Sequence, residues 1–281
     1  MDTLSVSTIA DGDTFKVRYK YVPHGSGAAS MAGSVTVCLA IRPDWTRDRG
    51  ILAELAALHH LMYVREIHGV HRLGNSLCVE VSAGAIKKAV AKGALKKEDA
   101  GTTTKAHVAH FSMFLATKYF EATVEVVPSG KWVEPESKRT LDETICVDEY
   151  PVVHVGSVLG DVVVRRHALN RFVERFMAAA EMAAGRSLVD IPDYRWTRAW
   201  RSLESILPQS VRVTIPPKEA QRVMWKYGKD VHALHHIGSQ NVFVVKDSGR
   251  GRELVTVLRG DEYCKLIELP RAAGQRLIYS G

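Results

Sequence analysis

The stretch from Val162 to Phe176, VVVRRHALNRFVERF, changes its apolar period within a few residues. Three successive valines read as a short buried strand, after which Leu169, Phe172, Val173 and Phe176 recur at helical spacing. The same switch repeats along the chain. Extended segments around Ser5–Tyr21, Ser34–Ile41, Ser76–Val81, Ala122–Val127, Val162–Arg165 and Val211–Ile215 are separated by helical patterns at Asp48–Ile67, Ala83–Lys92, Thr104–Tyr119, Trp196–Leu207 and Pro217–Tyr227. A chain that alternates the two periods is neither all-helical nor all-strand, and the predicted class is α/β (α+β). The last element is a β-hairpin, two valine-rich strands, NVFVVKD and RELVTVLRG, joined by Ser-Gly-Arg-Gly.

At 281 residues the chain can bury two cores. The stretch PSGKWVEPESKRTLDE, with two prolines and mixed charge, reads as a linker or exposed arm. The predicted organisation is a domain over 1–130, a linker over 131–157 and a smaller domain over 158–281. Charge separates the two parts. Residues 1–150 carry 18 basic and 18 acidic side chains and residues 151–281 carry 20 and 13, so the whole net charge of +7 lies in the second part. A basic excess confined to one domain points to a polyanionic partner, RNA or single-stranded nucleic acid.

No apolar run approaches the roughly 18 residues of a membrane helix, and the N-terminus has no basic region followed by an apolar core. The expectation is a cytoplasmic protein with no membrane partner. Cys38, Cys78, Cys146 and Cys264 stand far apart without a C-x-x-C pair, which argues against a disulfide framework and against a zinc site. His68 and His71, His107 and His110, and His232 and His235 are each three apart, but none has a third ligand beside it, so no metal is predicted there.

His167, Arg171 and Arg175 step by four along the helical stretch and share one sector of it, opposite the apolar side. Such a cationic stripe is either a solvated face or a phosphate site. The residue types suit metal-free RNA cleavage. A base must accept the ribose 2′-hydroxyl proton, cations must stabilise the phosphate, and an acid must protonate the leaving oxygen. His167 titrates near neutrality, Arg171 and Arg175 can clamp a phosphate, His232, His235 and His236 offer a second proton-transfer group, and Lys246 adds charge from its strand. Trp196, Trp200 and Trp225 either stack on bases or pack with Leu203, Ile206 and Val223, and helical placement favours the core.

Two resemblances sharpen these expectations. In the first part Asp11-Gly12 in TIADGD, Glu54 in LAELAAL, and the strand LCVEVSAG leading into a helix through Ser82 stand in an order that resembles the ribonuclease H fold. The resemblance implies a mixed sheet with helices and a carboxylate site, Asp11, Glu54 and Glu80, holding magnesium. This chain departs from the pattern: Val81 stands where an aspartate belongs, Glu80 falls on the other face of its strand, and Asp142 and Asp148 lie in the linker-like stretch. The expectation is a degenerate scaffold, with magnesium required only if that acidic site is active.

In the second part a strand leading into His167-Ala168, Arg171 and Arg175 on a helix, followed by the Val-Phe-Val-Val and Leu-Val-Thr-Val strands, resembles small ribonuclease-like domains of the RelE and barnase/colicin type, found in toxins and mobile elements such as phage. That resemblance adds Thr256 on the last strand to the catalytic set of His167, Arg171, Arg175, His232, His235 and Lys246. The leading expectation is a metal-independent endoribonuclease without a cofactor. The alternatives are a non-catalytic nucleic-acid-binding or adaptor protein with an unidentified protein partner, and a magnesium-dependent nuclease.

Overall fold

The computed structural model describes residues 1–25, 29–42, 45, 48–69, 72–92, 104–128, 132, 140–188, 191, 193–215, 217–248 and 251–259. His71, Cys264, Thr102, Thr103, the AKGALKK stretch beyond Lys92 and the two central residues of the Ser-Gly-Arg-Gly turn lie outside them. The chain divides into two units, Met1–Val153 and His154–Gly281. Each carries its own mixed six-stranded sheet with helices, an α+β arrangement. Among the described residues no helix is long and apolar enough to cross a membrane.

In unit 1, β1 (Asp2–Asp11) turns through Gly12 into β2 (Thr14–Val22), and β3 (Met31–Leu39) follows. Gly12 has a φ of +56°, a left-handed backbone that glycine adopts without penalty. The extended segment Ser5–Tyr21 is therefore a hairpin, and the Asp-Gly-Asp triplet is its turn. Helix α1 (Arg49–His59) runs on through a widened π turn at His60–Val64, and β4 (Leu77–Val81), α2 (Gly84–Lys92), α3 (Thr104–Phe111), β5 (Thr123–Val126) and β6 (Thr140–Val147) complete the unit. The strand order is β5-β4-β1-β2-β3-β6. β1, β2 and β3 are antiparallel neighbours, while β4 is parallel to β1, β5 to β4 and β6 to β3.

Alternation assigns the faces. Leu4, Val6, Val17, Tyr19, Val35, Val37, Val79 and Val81 are buried on one side, where α1 lies against β1, β2 and β3. Leu52 through Leu58 of α1 are all buried, so that helix is enclosed rather than half solvated. Ser5, Arg18, Ser34 and Thr36 alternate onto the opposite, polar side.

Residues 140–147 correct the predicted linker: they form a full edge strand. In TLDETICV the period of two is present, but Asp142 and Glu143 disguise it. Both acids have partners. Ser34 donates its backbone N–H (2.9 Å) and its hydroxyl (2.6 Å) to Asp142, and His60 meets Glu143 at 2.6 Å beside Arg65. A Cβ at Gly33 would fall 2.1 Å from the Leu141 carbonyl oxygen, so glycine is what lets β6 approach β3.

In unit 2, β7 (His154–Val155), β8 (Val162–Val164), α4 (Arg166–Phe172), a π turn at Val173–Met177, α5 (Ala179–Ala183) and α6 (Asp193–Ile206) precede β9 (Val211–Val213), α7 (Pro217–Tyr227), β10 (Val231–His236), β11 (Asn241–Ser248) and β12 (Gly251–Arg259). The sheet order is β7-β8-β12-β11-β10-β9, and β11 with β12 is the expected hairpin. Leu234, Phe243 and Val257 are register partners on one face, and the Phe243 ring lies 6.4 Å from that of Phe172, so α4 covers this side. Val213, Ala233 and Val242 cluster on the other side with Ile215 and Leu258.

Candidate nucleic-acid interface

The acidic alternative is a matter of strand parity. Ser5 pairs with Glu80 across β1 and β4, and its hydroxyl donates to the Glu80 carboxylate at 2.5 Å. Thr8, three residues further along β1 and so on the opposite face, donates to Glu54 at 2.9 Å. Glu54 and Glu80 therefore lie on opposite sides of the sheet. Asp11 is exposed at the hairpin turn, where its carbonyl accepts from the Thr14 hydroxyl at 2.9 Å.

Glu54 is fully buried and also accepts the Ser82 backbone N–H at 2.7 Å and the Ser82 hydroxyl. Burial pushes its pKa up, against the opposing hydrogen bonds from Ser82 and Thr8. It is a buried clasp between α1, β1 and the end of β4. These three carboxylates do not fit a magnesium pair, and among the described residues no three His, Cys, Asp or Glu side chains gather as metal ligands.

The basic residues of unit 2 fall into separate groups. His167 is exposed on α4, while Ala168, Leu169, Phe172 and Val173 are buried beneath it. Partial desolvation, then the charges of Arg171 and Lys226 and more weakly Arg175, lower the His167 pKa against the opposing Glu174. Arg171 is held by Glu174 at 2.7 Å. Arg175 donates to the Val257 carbonyl at 2.6 Å and so ties the π turn to β12. Lys226, on α7, adds its charge at His167 to those of Arg171 and Arg175, and the four-residue stepping of the stripe did not include it.

The tryptophans divide. Trp196 and Trp200 are buried as expected, but Trp225 on α7 is 90% exposed, with Met224 beside it 42% exposed. The core placement of Trp225 is thereby corrected. Among the described side chains of α7 only Val223 is buried, and Trp225 lies two residues away, about 200° around the helix. The side chain stands in solvent next to Lys226.

His232 heads a second group, a polar row crossing four adjacent strands. Its Nε2 meets Asp247 Oδ2 at 2.8 Å, and its Nδ1 lies 3.1 Å from Arg212 Nη2. A guanidinium can only donate, so Nδ1 carries the lone pair and Nε2 the proton directed at Asp247. Asp247 also pairs with Arg252 Nε at 3.2 Å, and Arg252 reaches the Leu159 carbonyl. The hydrogen bond from His232, together with Arg252, holds the Asp247 carboxyl below its ordinary range despite some desolvation. Arg212 and His232 line a cavity of about 230 Å³ with Lys229, Val223 and Met224.

His235 does not join them. Three residues from His232 on a strand, it projects from the other face and is buried, and burial lowers its pKa. Thr256 is buried and pairs with Val244 on that same face. Lys246 pairs with Val231, again opposite His232. Of the seven residues expected in one catalytic set, His167 and Arg171 are brought together, Arg175 is tied to β12, His232 stands with new partners, and His235, Lys246 and Thr256 face away from it. Asp247, Arg212, Lys226 and Lys229 are the residues that sequence reasoning missed. The parting of His232 from His235 follows from strand parity in VHALHH, whose apolar residues do not alternate cleanly and whose histidines were weighed as chemistry rather than as a strand.

No family model, no curated protein and no solved structure matches this chain.

Proposed function

We propose that this is an RNA-acting protein whose second unit binds single-stranded nucleic acid over the α4 and α7 surface. One observation carries the reading: a tryptophan 90% exposed on α7, beside a lysine whose charge reaches His167 next to Arg171. An exposed indole is a stacking platform for any unpaired base, and cations around it follow the phosphates. The confinement of the net charge of +7 to residues 151–281 supports the same polyanionic partner.

A second reading, metal-independent cleavage, is favoured by His232. An imidazole oriented by a carboxylate through one nitrogen, with an arginine at the other and a lysine in the adjoining cavity, has the parts for proton transfer beside a phosphate. The first unit acts in this proposal as a ribonuclease H-like scaffold without its metal site. The strand, hairpin, α1 and β4 order, with Glu54 and Ser82 meeting at the end of β4, supports that resemblance. Free thiols at Cys38, Cys78 and Cys146 fit a cytoplasmic setting.

Fluorescence anisotropy of the full chain with a labelled oligouridine tests the binding reading. Affinity should fall steeply with salt, and Trp225→Ala should weaken it by roughly 1 to 3 kcal/mol, or about 5- to 150-fold. Equal affinity of wild type and Trp225→Ala would refute the stacking platform. Incubation with varied RNAs in chelator tests the second reading, and cleavage that persists in folded His232→Ala would refute it.

A further inference from the structure

The β3–β6 ladder runs in parallel register through eight consecutive pairs, from Ala32 with Thr140 to Leu39 with Val147, with Cys38 opposite Cys146. Four residues earlier on the same two strands, Ser34 and Asp142 are also register partners, and their side chains meet at 2.6 Å. Positions that share this face thus bring their side chains into contact. Adjacent strands lie about 4.8 Å apart, within the roughly 4.4 to 6.8 Å that a disulfide spans between Cα atoms. Cys146 is exposed and Cys38 half-buried. Desolvation, then a hydrogen bond and the charge of Cys146, raise the Cys38 pKa, which places the two thiols against each other. Cys78 is buried on β4, with β1 and β2 between it and β3.

We propose that Cys38 and Cys146 form a reversible dithiol–disulfide site that staples the edge strand β6 to β3. The oxidant is a peroxide. The thiolate of the exposed Cys146 attacks one peroxide oxygen, the O–O bond breaks, and a sulfenic acid forms as the first water leaves. The Cys38 sulfur then attacks the sulfenic sulfur, the S–O bond breaks with release of a second water, and the S–S bond forms. Two thiols lose two electrons and two protons, and the peroxide is reduced to two waters. A dithiol reductant reverses the step by exchange, and an exposed cross-strand bond belongs to the labile kind. The pair is invisible as a motif because the two cysteines are 108 positions apart.

The experiment treats the full chain with hydrogen peroxide, blocks remaining thiols, digests it, and reads linked peptides by mass spectrometry. The expected product joins the Cys38 and Cys146 peptides, is lighter than the separate peptides by two hydrogen atoms, separates on reduction, and is absent from both Cys38→Ser and Cys146→Ser. Amides of β6 should exchange more slowly in the oxidised wild type and not in oxidised Cys146→Ser. Peptides linked through Cys78 or Cys264 instead, or independent oxidation of Cys146 with no link, would overturn the site. A link that leaves β6 exchange unchanged would overturn the staple.

Discussion

Glu54 separates a structural clasp from a catalytic remnant. Alanine there removes the acceptor for the Ser82 N–H, the Ser82 hydroxyl and the Thr8 hydroxyl in a fully buried position. An unsatisfied buried N–H costs about 1 to 3 kcal/mol, and each of the two lost hydroxyl bonds adds about 1, so Glu54→Ala should destabilise unit 1 by roughly 3 to 5 kcal/mol. Against a typical stability of about 5 to 15 kcal/mol that is a large fraction. Glutamine keeps the shape and one carbonyl acceptor, and its amide can donate to the two hydroxyls. Glu54→Gln should therefore fold well. The pH dependence has a definite sign. Burial raises the folded pKa of Glu54 above the unfolded value of about 4.3, so the charge penalty is absent below that value and sets in as pH rises through the folded pKa. Glutamine cannot ionise, so the stability difference should swing toward Glu54→Gln with rising pH. Amide exchange in β1 and β4 during urea titration reads unit 1 by itself. Glu54→Ala within about 0.5 kcal/mol of wild type, or Glu54→Gln as damaged as Glu54→Ala, would refute the clasp. Loss of a magnesium-dependent cleavage in folded Glu54→Gln would put chemistry in unit 1 after all.

Two further outcomes follow from unit 1. Gly33→Ala should loosen β6, because the added Cβ would meet backbone 2.1 Å away; faster exchange confined to the β3–β6 ladder is the readout, and unchanged exchange would contradict the close approach. Thermal scans should show stability falling in two acid steps. Burial, aided by Arg72, lowers the His68 pKa against Asp2, so its contribution is lost as pH falls below about 6.5. Burial opposes ionisation of Asp2, but the His24 N–H, Tyr21, Arg72 and His68 outweigh it and lower its pKa, so its contribution is lost below about 3.9. His68→Gln should shrink the first step, and an unaltered profile would discount His68 as its source.

Much of the fold was legible because burial enforces period. β4, α2 and β5 lie within a residue or so of their expected bounds; β4 is buried along almost its whole length, whereas β5, exposed at three of its four residues, shows its strand through the valines of TVEV. Other elements were not legible, and three of them show the local reasons. The β1–β2 turn is built from Asp11-Gly12-Asp13, which also looks like a carboxylate motif. β6 half-buries its apolar side chains between acids whose partners, Ser34 and His60, lie about a hundred residues away in the chain. The helix expected over Thr104–Tyr119 is helical only to Phe111 and continues as turns.

The site was legible in its residue types and not in its grouping, because grouping depends on strand parity. Once Val231–His236 is a strand, His232 and His235 must part, and Asp247 on the neighbouring strand comes within reach of His232. Trp225 was misplaced because it was grouped with Val223 on α7, although a residue 200° from Val223 cannot share its buried side. His167 draws its field from Arg171, Lys226, Glu174 and Arg175, whereas His232 is bound to Asp247 and Arg212. Two groups with different neighbours should act as separate contacts along one strand of nucleic acid. The free-energy losses in oligouridine affinity from His167→Ala and His232→Ala should then add within about 0.5 kcal/mol in the double variant. Groups that meet at one phosphate would be strongly non-additive, the second substitution costing little once the first is made. A coupling well above that limit would bring the two histidines into one site, as a single cleavage centre requires, and would reject the two-group surface.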